Sequence, residues 1–285
     1  MKTSPSASEI VIQPTHGWHF LAWKELWAYR DLLWLLVWRD FATRYKQTVL
    51  GPLWYIFQPL VTTLVFTVVF SHVAALPTDG LPPTLFYLCG LLPWSYFAQT
   101  FASTSSTLTA NAGLFGKVYF PRLVVPLSAA ISNLVAFAVQ LVSFFVIFGL
   151  HRASHPDATY GIRWQAVFLP LVLLQTCMLS LGVGLWIAAL TAKFRDFAVL
   201  SSFLIQLWMY VTPIIYPLAG IPEQWRVWVA INPMTIPVES FRFMLLGTGS
   251  LSLPTVAMSV AATLLALLSG LLVFQRVEKN FVDVI

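Results

Sequence analysis

Residues 20–54 read FLAWKELWAYRDLLWLLVWRDFATRYKQTVLGPLW, an aromatic and cationic run that leads directly into an apolar stretch. Tryptophan rings and long cationic side chains both favour the boundary between water and lipid. The aromatic residues of this run recur at spacings of three, four or seven, the period of one helical face; they are Trp23, Trp27, Trp34, Trp38, Phe41 and Tyr45. We therefore predict an amphipathic helix that lies on the membrane surface, ahead of the first helix that crosses it.

The composition predicts a polytopic membrane protein. Hydrophobic residues make up 58% of the chain and charged residues 9%, and the mean hydropathy is +0.78, which leaves too few charges to cover a soluble globule of 285 residues. The net charge of +5 comes from basic residues beside the apolar stretches, so we expect membrane lipids as partners and no nucleic acid. Cys89 and Cys177 both lie inside apolar stretches, and no disulfide is expected.

Six apolar stretches reach the length of about 20 residues that a helix needs to cross the hydrocarbon core. The predicted spans are Pro52–Val73, Leu85–Thr104, Leu123–Leu150, Trp164–Leu190, Phe197–Tyr216 and Leu253–Phe274. The predicted fold class is an all-α membrane protein with one transmembrane domain over residues 1–285. Residues 1–50 form its cytoplasmic tail and interfacial helix, and residues 51–285 form the six-span bundle.

The basic residues are distributed unevenly between the two sides that these spans define. With the N-terminus inside, twelve of the 16 Lys and Arg residues fall on the cytoplasmic side. The four on the opposite side are Arg152, Arg163, Arg226 and Arg242. Because cytoplasmic loops carry an excess of Lys and Arg, this asymmetry predicts that both termini are cytoplasmic.

The segment between the fifth and sixth spans is apolar only in pieces. Prolines and charges interrupt it, and the pieces Trp225–Ile231 and Phe241–Leu246 are too short to cross a bilayer. We predict two short interfacial or re-entrant helices on the outer side, joined at Asn232-Pro233. A plain extracellular loop is the alternative.

The predicted spans contain no Asp or Glu, although ion-coupled transporters usually keep an ionisable group at membrane depth. The five His residues show no nucleophile or metal-ligand spacing, and no phosphate-binding loop is present. The sequence therefore predicts no catalytic residue, no metal site and no cofactor of its own. A transporter of this kind must receive its energy from another chain.

Four short motifs resemble those of one family of membrane proteins: RYKQT at 44–48 with GPLW at 51–54, GLLPW at 90–94, KVYFPR at 117–122, and NPM at 232–234. Their order relative to the spans resembles the permease subunit of bacterial ATP-binding-cassette exporters for lipid-linked polysaccharides, which handle O-antigens, capsules and teichoic acids. The resemblance implies a channel of two copies and a separate ATPase dimer that binds ATP and Mg²⁺. It also implies export of an undecaprenyl-linked glycan to the outer side of the bacterial inner membrane.

Two other functions stay open at this stage. A related permease for drugs or smaller lipids would have the same layout of spans. A membrane-embedded glycosyltransferase or acyltransferase would need a carboxylate or His at the membrane interface, a position that Asp40 or Glu239 occupies without an evident catalytic companion.

The loop between the second and third spans, near Ser105–Arg122, is the candidate contact with the ATPase, because the resemblance places the coupling helix there. Its apolar and cationic side chains suit a groove on a soluble partner; they are Leu114, Phe115, Lys117, Val118, Tyr119 and Arg122. Lys117 and Arg122 also fit a simpler role in the charge asymmetry of the loops.

Cations of the N-terminal run are candidates for the pyrophosphate of the lipid carrier, since a guanidinium makes bidentate contacts with phosphate. These residues are Arg30, Arg39, Arg44 and Lys46, and ordinary anionic phospholipid is their alternative partner. Sugar rings stack on aromatic side chains, so we take aromatics of the first and fifth spans as candidates for the pore wall. They are Phe57, Phe66, Phe70, Trp208 and Tyr210, for which packing or lipid contact is the alternative.

The two short outer helices are predicted to form a gate. Glu239 and Arg242 are three residues apart, on one helical face, where they are able to pair or to contact the leaving sugar. Asn232 marks the junction between the helices. The alternative is that these residues only shape a loop.

Overall fold

The computed structural model describes residues 23–45, 51–118 and 120–281, and within these ranges it contains helices, turns and loops but no β-strand. The α-helices of the described ranges are α1 (Trp23–Ala28), α2 (Arg30–Tyr45), α3 (Trp54–Phe66), α4 (Pro83–Ser105), α5 (Thr107–Ala110), α6 (Ala112–Phe115), α7 (Val124–Ser154), α8 (Leu169–Lys193), α9 (Asp196–Val211), α10 (Glu223–Ile231), α11 (Thr235–Leu246) and α12 (Leu253–Phe281). A π-helical segment, Thr67–Val73, extends α3, and a 3₁₀ segment, Trp164–Phe168, leads into α8. The predicted all-helical class is confirmed.

Four helical segments of the described chain are long and apolar enough to cross a membrane: Trp54–Val73, Val124–Ser154, Trp164–Lys193 and Leu253–Glu278. They coincide with the first, third, fourth and sixth predicted spans. The second predicted span lies within α4, and the fifth overlaps α9, whose 16 residues span only about 24 Å.

Helix α4 lies at the centre of the bundle, and 16 of its 23 residues are buried. Its polar groups meet neighbouring helices: the Tyr96 hydroxyl donates to the carbonyl of Ala130 at 3.2 Å, and the Asn133 amide donates to the Thr100 hydroxyl at 3.2 Å. A helix that faces protein rather than lipid tolerates such groups when they are hydrogen-bonded. This position explains why α4 carries more polar residues than a lipid-facing span.

Two glycines place α8 close to helices on both of its sides. A Cβ atom added at Gly182 would lie 2.5 Å from the backbone nitrogen of Leu267 on α12, and one added at Gly184 would lie 2.6 Å from Cβ of Thr104 on α4. Gly270 of α12 faces Gly182 from the other side of the same crossing. Small residues allow this close approach of helix backbones in a membrane.

The N-terminal helix α2 packs against α7 through one side. Leu36 and Val37 are buried, whereas Trp27 of α1 and Trp34 and Trp38 of α2 expose 72%, 61% and 70% of their surface. The predicted helix is therefore present and presents tryptophan rings outward. Its location at the membrane surface stays a prediction, and the side chains of Trp23 and Tyr45 lie outside the described part of the chain.

The two helices between α9 and α12 differ sharply in burial. None of the nine residues of α10 is buried, whereas eleven of the twelve residues of α11 are. Helix α11 ends at Gly247, which adopts a left-handed φ of +80°. The backbone N–H groups of Gly161 and Arg163 donate to the last carbonyls of α11, those of Leu246 and Met244, at 3.3 and 2.8 Å. We name this end of the bundle the α10–α11 end and the opposite one the α5–α6 end.

Candidate functional site

The coupling loop, residues 106–123 at the α5–α6 end, forms two single-turn helices rather than one longer helix. Leu114 and Phe115 are half-buried and pack against an apolar cluster that includes Leu36 of α2 and Phe120. Lys117 and Val118 are exposed, with 53% of the Val118 surface accessible. Tyr119 lies outside the described residues. Among the described members of the predicted contact, Lys117 and Val118 therefore form the accessible tip.

Arg122 closes this loop onto the last helix. Its side chain is only 9% exposed, and Nη1 donates to the backbone carbonyl of Glu278 in α12. The Arg122 backbone N–H donates to Oε1 of Glu278 at 3.3 Å, and the guanidinium lies 5.5 Å from the centroid of the Phe115 ring. The coupling loop is thus joined to α2 through Leu36 and to α12 through Glu278.

The predicted headgroup cations differ in their surroundings. The Arg30 side chain is 54% exposed, lies 5.9 Å from the Trp27 ring centroid, and is 3.8 Å from Asp31. Arg39 pairs more closely with Asp40, at 2.9 Å, which offsets much of its charge. The side chain of Arg44 and the whole of Lys46 lie outside the described residues.

The predicted pore aromatics divide into two groups. Phe57 and Tyr210 are 53% and 48% exposed. Phe66 is buried and lies edge-on to Phe70 and to Tyr87, with centroids 5.2 and 5.9 Å away. Trp208 also lies edge-on to a ring of α4, that of Phe97, at 5.1 Å. Phe57 also lies edge-on to Trp54, at 5.7 Å, so the two groups differ in exposure rather than in ring contacts alone.

At the α10–α11 end, Glu239 and Arg242 form the predicted pair, with Nη1 of Arg242 donating to Oε1 of Glu239 at 3.1 Å. The two residues are only 2% and 1% exposed. The second carboxylate oxygen of Glu239 accepts the backbone N–H of Ser250 at 3.1 Å. This burial places the pair inside the protein, and its role as a gate stays a prediction.

Arg242 binds two further parts of the chain. Its guanidinium nitrogens donate to the backbone carbonyls of Pro213 and Ile214, at 2.5 and 2.7 Å, just beyond the end of α9. The guanidinium also lies 3.8 Å from the ring centroid of Phe86 on α4, a cation–π contact. Gly90 of α4 leaves room for it, because a Cβ atom there would be 3.0 Å from Nη2. One side chain therefore joins α4, α9 and α11.

Asn232 makes a second junction at the same end. Its amide oxygen accepts the indole N–H of Trp208 at 2.8 Å and the backbone N–H of Met234 at 3.0 Å. Its amide nitrogen donates to the Thr212 hydroxyl at 2.9 Å. The Asn-Pro-Met motif thus fixes the start of α11 to the end of α9.

Sequence reasoning missed several residues that complete these sites. Glu278 is 156 positions from Arg122 in the chain, and no local pattern connects them. Phe86 belongs to α4, and the carbonyls of Pro213 and Ile214 belong to the turn after α9, whereas Arg242 is in α11. The one sign of these partners in the sequence is the charge of Arg122 and Arg242, because a charged side chain requires hydrogen-bond partners when it becomes buried.

The chain belongs to the ABC-2 type transporter family, because the sequence model of this family matches residues 31–246. It is therefore the membrane component of a transporter rather than an enzyme, and this family works with an ATP-binding partner subunit. The resemblance inferred from the four motifs is confirmed.

Three relatives indicate the branch of the family. The chain is 31% identical over 221 residues to the O-antigen export system permease protein RfbA of Myxococcus xanthus, covering 77% of this chain and 82% of that protein. It is 27% identical over 258 residues to the protein of the same name from Klebsiella pneumoniae, covering 90% of this chain and 95% of that protein. The polysialic acid transport protein KpsM of Escherichia coli is 26% identical over 213 residues, which are 72% of this chain and 77% of KpsM.

Proposed function

We propose that this chain is the permease of an ATP-driven exporter that moves an undecaprenyl-linked, O-antigen-like polysaccharide from the cytoplasmic to the outer side of the bacterial inner membrane. The observation that carries the proposal is the similarity to permeases named for O-antigen export over 90% of this chain. The permease itself holds no cofactor in this proposal. ATP and Mg²⁺ bind to two copies of the partner ATPase.

The proposed topology has six spans and two cytoplasmic termini. Twelve of 16 basic residues on one side support this orientation. Helix α4 supplies the second span, and α9 with the residues that follow it supplies the fifth. The α5–α6 end then faces the cytoplasm, and the α10–α11 end faces outward.

We place a second copy of the chain against α3 and α9, so that the channel lies between the two protomers. Among its described residues, α9 buries only Ser201, and α3 buries only Pro59, Thr63 and Phe66. Phe57 and Tyr210 lie on these two helices with exposed rings. Exposed apolar rings of this kind suit the CH faces of sugars while the hydroxyl groups stay hydrated.

The N-terminal helix α2 supplies the headgroup contact in this proposal. Arg30 is exposed beside outward tryptophans, the arrangement that suits an anionic headgroup at the membrane surface. Arg39, which is paired with Asp40, and Arg44 and Lys46, which the sequence places nearby, are the further candidates for this contact. The pyrophosphate of the lipid carrier and ordinary anionic lipids share this chemistry.

The Val118→Asp substitution is expected to abolish the stimulation of ATP hydrolysis by the permease, because it places a charge on the exposed apolar tip of the coupling loop. Val118 makes a cleaner test than Phe115, which also contributes to the apolar cluster with Leu36. ATP turnover of the co-purified complex in proteoliposomes measures the effect. Val227→Asp, on exposed α10 at the other end, is the matched control and should leave the stimulation intact. Normal stimulation by the Val118→Asp protein would remove this residue from the ATPase contact.

Reconstitution tests the proposed function directly. The permease and its ATPase are incorporated into vesicles that contain undecaprenyl-linked glycan with a fluorescent sugar, and protection of the label from an added glycosidase reports movement. We expect ATP-dependent movement that is lost when the ATPase carries an inactivating substitution. Movement by the permease alone, or none with an active ATPase, would contradict the proposal.

A further inference from the structure

An apolar groove of about 460 Å³ lies between α8, α11 and α12, on the half of the bundle nearest the α10–α11 end. Most of its wall is aliphatic or aromatic; the apolar side chains include Phe168, Leu171, Leu174, Met178, Val260 and Leu264. Two polar groups of this region satisfy each other, since the Gln175 amide donates to the Ser259 hydroxyl at 2.8 Å and this hydroxyl donates to the carbonyl of Pro233. The depth of the groove therefore suits a hydrocarbon chain.

The groove is long enough to hold an acyl chain across the hydrocarbon of one leaflet. The wall formed by α8 and the 3₁₀ segment before it runs from Gln165 to Met178, a rise of about 20 Å at about 1.5–2 Å per residue. One leaflet contributes about half of the hydrocarbon core of about 30 Å. Leu171 and Leu174 are more than half exposed, so the groove opens to the side of the bundle, where lipid chains have access.

A cation lies at the mouth of the groove. The Arg163 guanidinium is 4.3 Å from the ring centroid of Phe243, which lines the groove, and its Nη2 donates to the carbonyl of Gly247 at 2.5 Å. The backbone N–H of Arg163 is fixed by the carbonyl of Met244. Arg163 is exposed, and a guanidinium carries five N–H donors, so further donors face outward for a phosphate.

A polar atom two residues further along the chain lacks a hydrogen-bond partner among the described residues. The amide oxygen of Gln165, a residue that lines the groove, is buried and accepts no hydrogen bond from the described residues. A buried acceptor of this kind favours a ligand that brings its own N–H or O–H donor. At one end of the apolar groove, Arg163 thus offers a binding site for a phosphate, and Gln165 offers a hydrogen-bond acceptor.

We propose that this groove holds a phosphatidylethanolamine molecule of the outer leaflet. One acyl chain fills the groove, the phosphate binds Arg163, and the ammonium group donates to the amide oxygen of Gln165. The assignment to the outer leaflet rests on the orientation given under the proposed function. A phosphatidylcholine has the same chains and phosphate but no N–H donor, and it is expected to bind less well.

The test uses the complex of permease and ATPase in nanodiscs that contain phosphatidylethanolamine with a photoactivatable diazirine in its acyl chain. Mass spectrometry then locates the labelled peptides, and exposed residues of α7 such as Val142 and Val146 provide the reference for lipids at the protein surface. We expect the groove peptides to be labelled more strongly than this reference. Arg163→Gln should lower the groove signal, relative to the reference, by about tenfold, the effect of losing one charge-assisted hydrogen bond. The matched phosphatidylcholine probe should also give a weaker groove signal.

Two variants serve as controls. Arg152→Gln removes another cation of the same end, one that donates to the carbonyls of Ala158 and Tyr160, and it should leave the groove signal unchanged. Val260→Trp fills the groove from α12 and should remove the groove signal while the reference persists. Thermal unfolding of each variant establishes whether it is folded. If Arg163→Gln does not fold, the Val260→Trp variant tests whether the lipid binds in the groove.

An Arg163→Gln signal equal to that of the unsubstituted protein, or equal signals from both probes, would overturn the proposal. Labelling needs neither ATP nor glycan, so it does not depend on export. Groove labelling in a complex that fails to export would leave this inference intact and count only against the proposed function.

Discussion

The Arg242→Gln variant is expected to lose about 3–5 kcal/mol of the free energy of unfolding, because Glu239 then stays buried without its counter-charge. The carbonyls of Pro213 and Ile214 lose their donors in the same step. Tryptophan fluorescence during thermal unfolding in detergent micelles measures the stability. Export by the reconstituted complex should fall with it, since α11 loses its connection to α4 and α9.

Two comparisons separate the buried pair from a general effect of removing charge. Arg226→Gln changes an exposed arginine of α10 at the same end, and we expect a loss of about 1 kcal/mol or less. The double variant Arg242→Leu with Glu239→Leu removes both charges, and it should be more stable than Arg242→Gln because no uncompensated charge remains. An Arg242→Gln protein that unfolds at the temperature of the unsubstituted chain would refute the role of this pair.

Gly182→Leu is expected to be comparably damaging, with a loss of about 3 kcal/mol or more of the free energy of unfolding, at or above the upper end of the usual range for overpacking. Even a single Cβ atom at this position would lie 2.5 Å from a backbone nitrogen of α12, and backbone cannot move aside as a side chain does. The helices α8 and α12 must therefore separate along much of their shared length. The amount of monodisperse protein after detergent extraction, together with the unfolding temperature, measures the outcome.

Gly149→Leu is the matched control for this substitution. Gly149 lies inside helix α7, and a Cβ atom there meets nothing within 4 Å, so helix propensity changes in the same way without a clash. We expect this variant to be extracted and to unfold like the unsubstituted protein. Equal behaviour of the two leucine variants would mean that the crossing of α8 and α12 tolerates separation.

Much of the fold follows from local sequence pattern. The aromatic spacing in residues 20–54 predicts an interfacial N-terminal helix, and the interruptions after α9 predict two short outer helices joined at Asn232-Pro233. The structure has helices in both regions, α1 with α2 and α10 with α11, and their placement at the membrane surface and on the outer side stays a prediction. The spacing of Glu239 and Arg242 predicts their pairing, which is also present. Each of these features depends on residues that are neighbours in the chain.

The depth of α11 was not predictable in this way. Its apolar piece Phe241–Leu246 is short, follows Glu239 and contains Arg242, a pattern typical of an interfacial helix. Burial becomes possible because carbonyls beyond α9 and the backbone of Ser250 form hydrogen bonds with those charges, and a ring of α4 adds a cation–π contact. These partners come from distant parts of the chain, so the spacing of residues within α11 does not predict them.

The candidate ATPase contact shows the same limit. Its composition indicates an apolar and cationic loop, but not which of its side chains turn inward. Arg122 turns inward because it donates to the carbonyl of Glu278 and makes a cation–π contact with the Phe115 ring. Leu114 turns inward because it packs against an apolar side chain of α2. Lys117 and Val118 are left as the accessible tip.

The glycine contacts of α8 have a mechanical consequence for a transport cycle. With backbones this close at Gly182 and Gly184, sliding or rotation of α8 would force atoms of α4 or α12 to overlap. We therefore expect α4, α8 and α12 to keep their positions relative to one another, and α3 and α9, which bury few residues, to be the helices that move. Distances measured by spin labels should stay constant within the first group of helices during ATP turnover and change between the two groups.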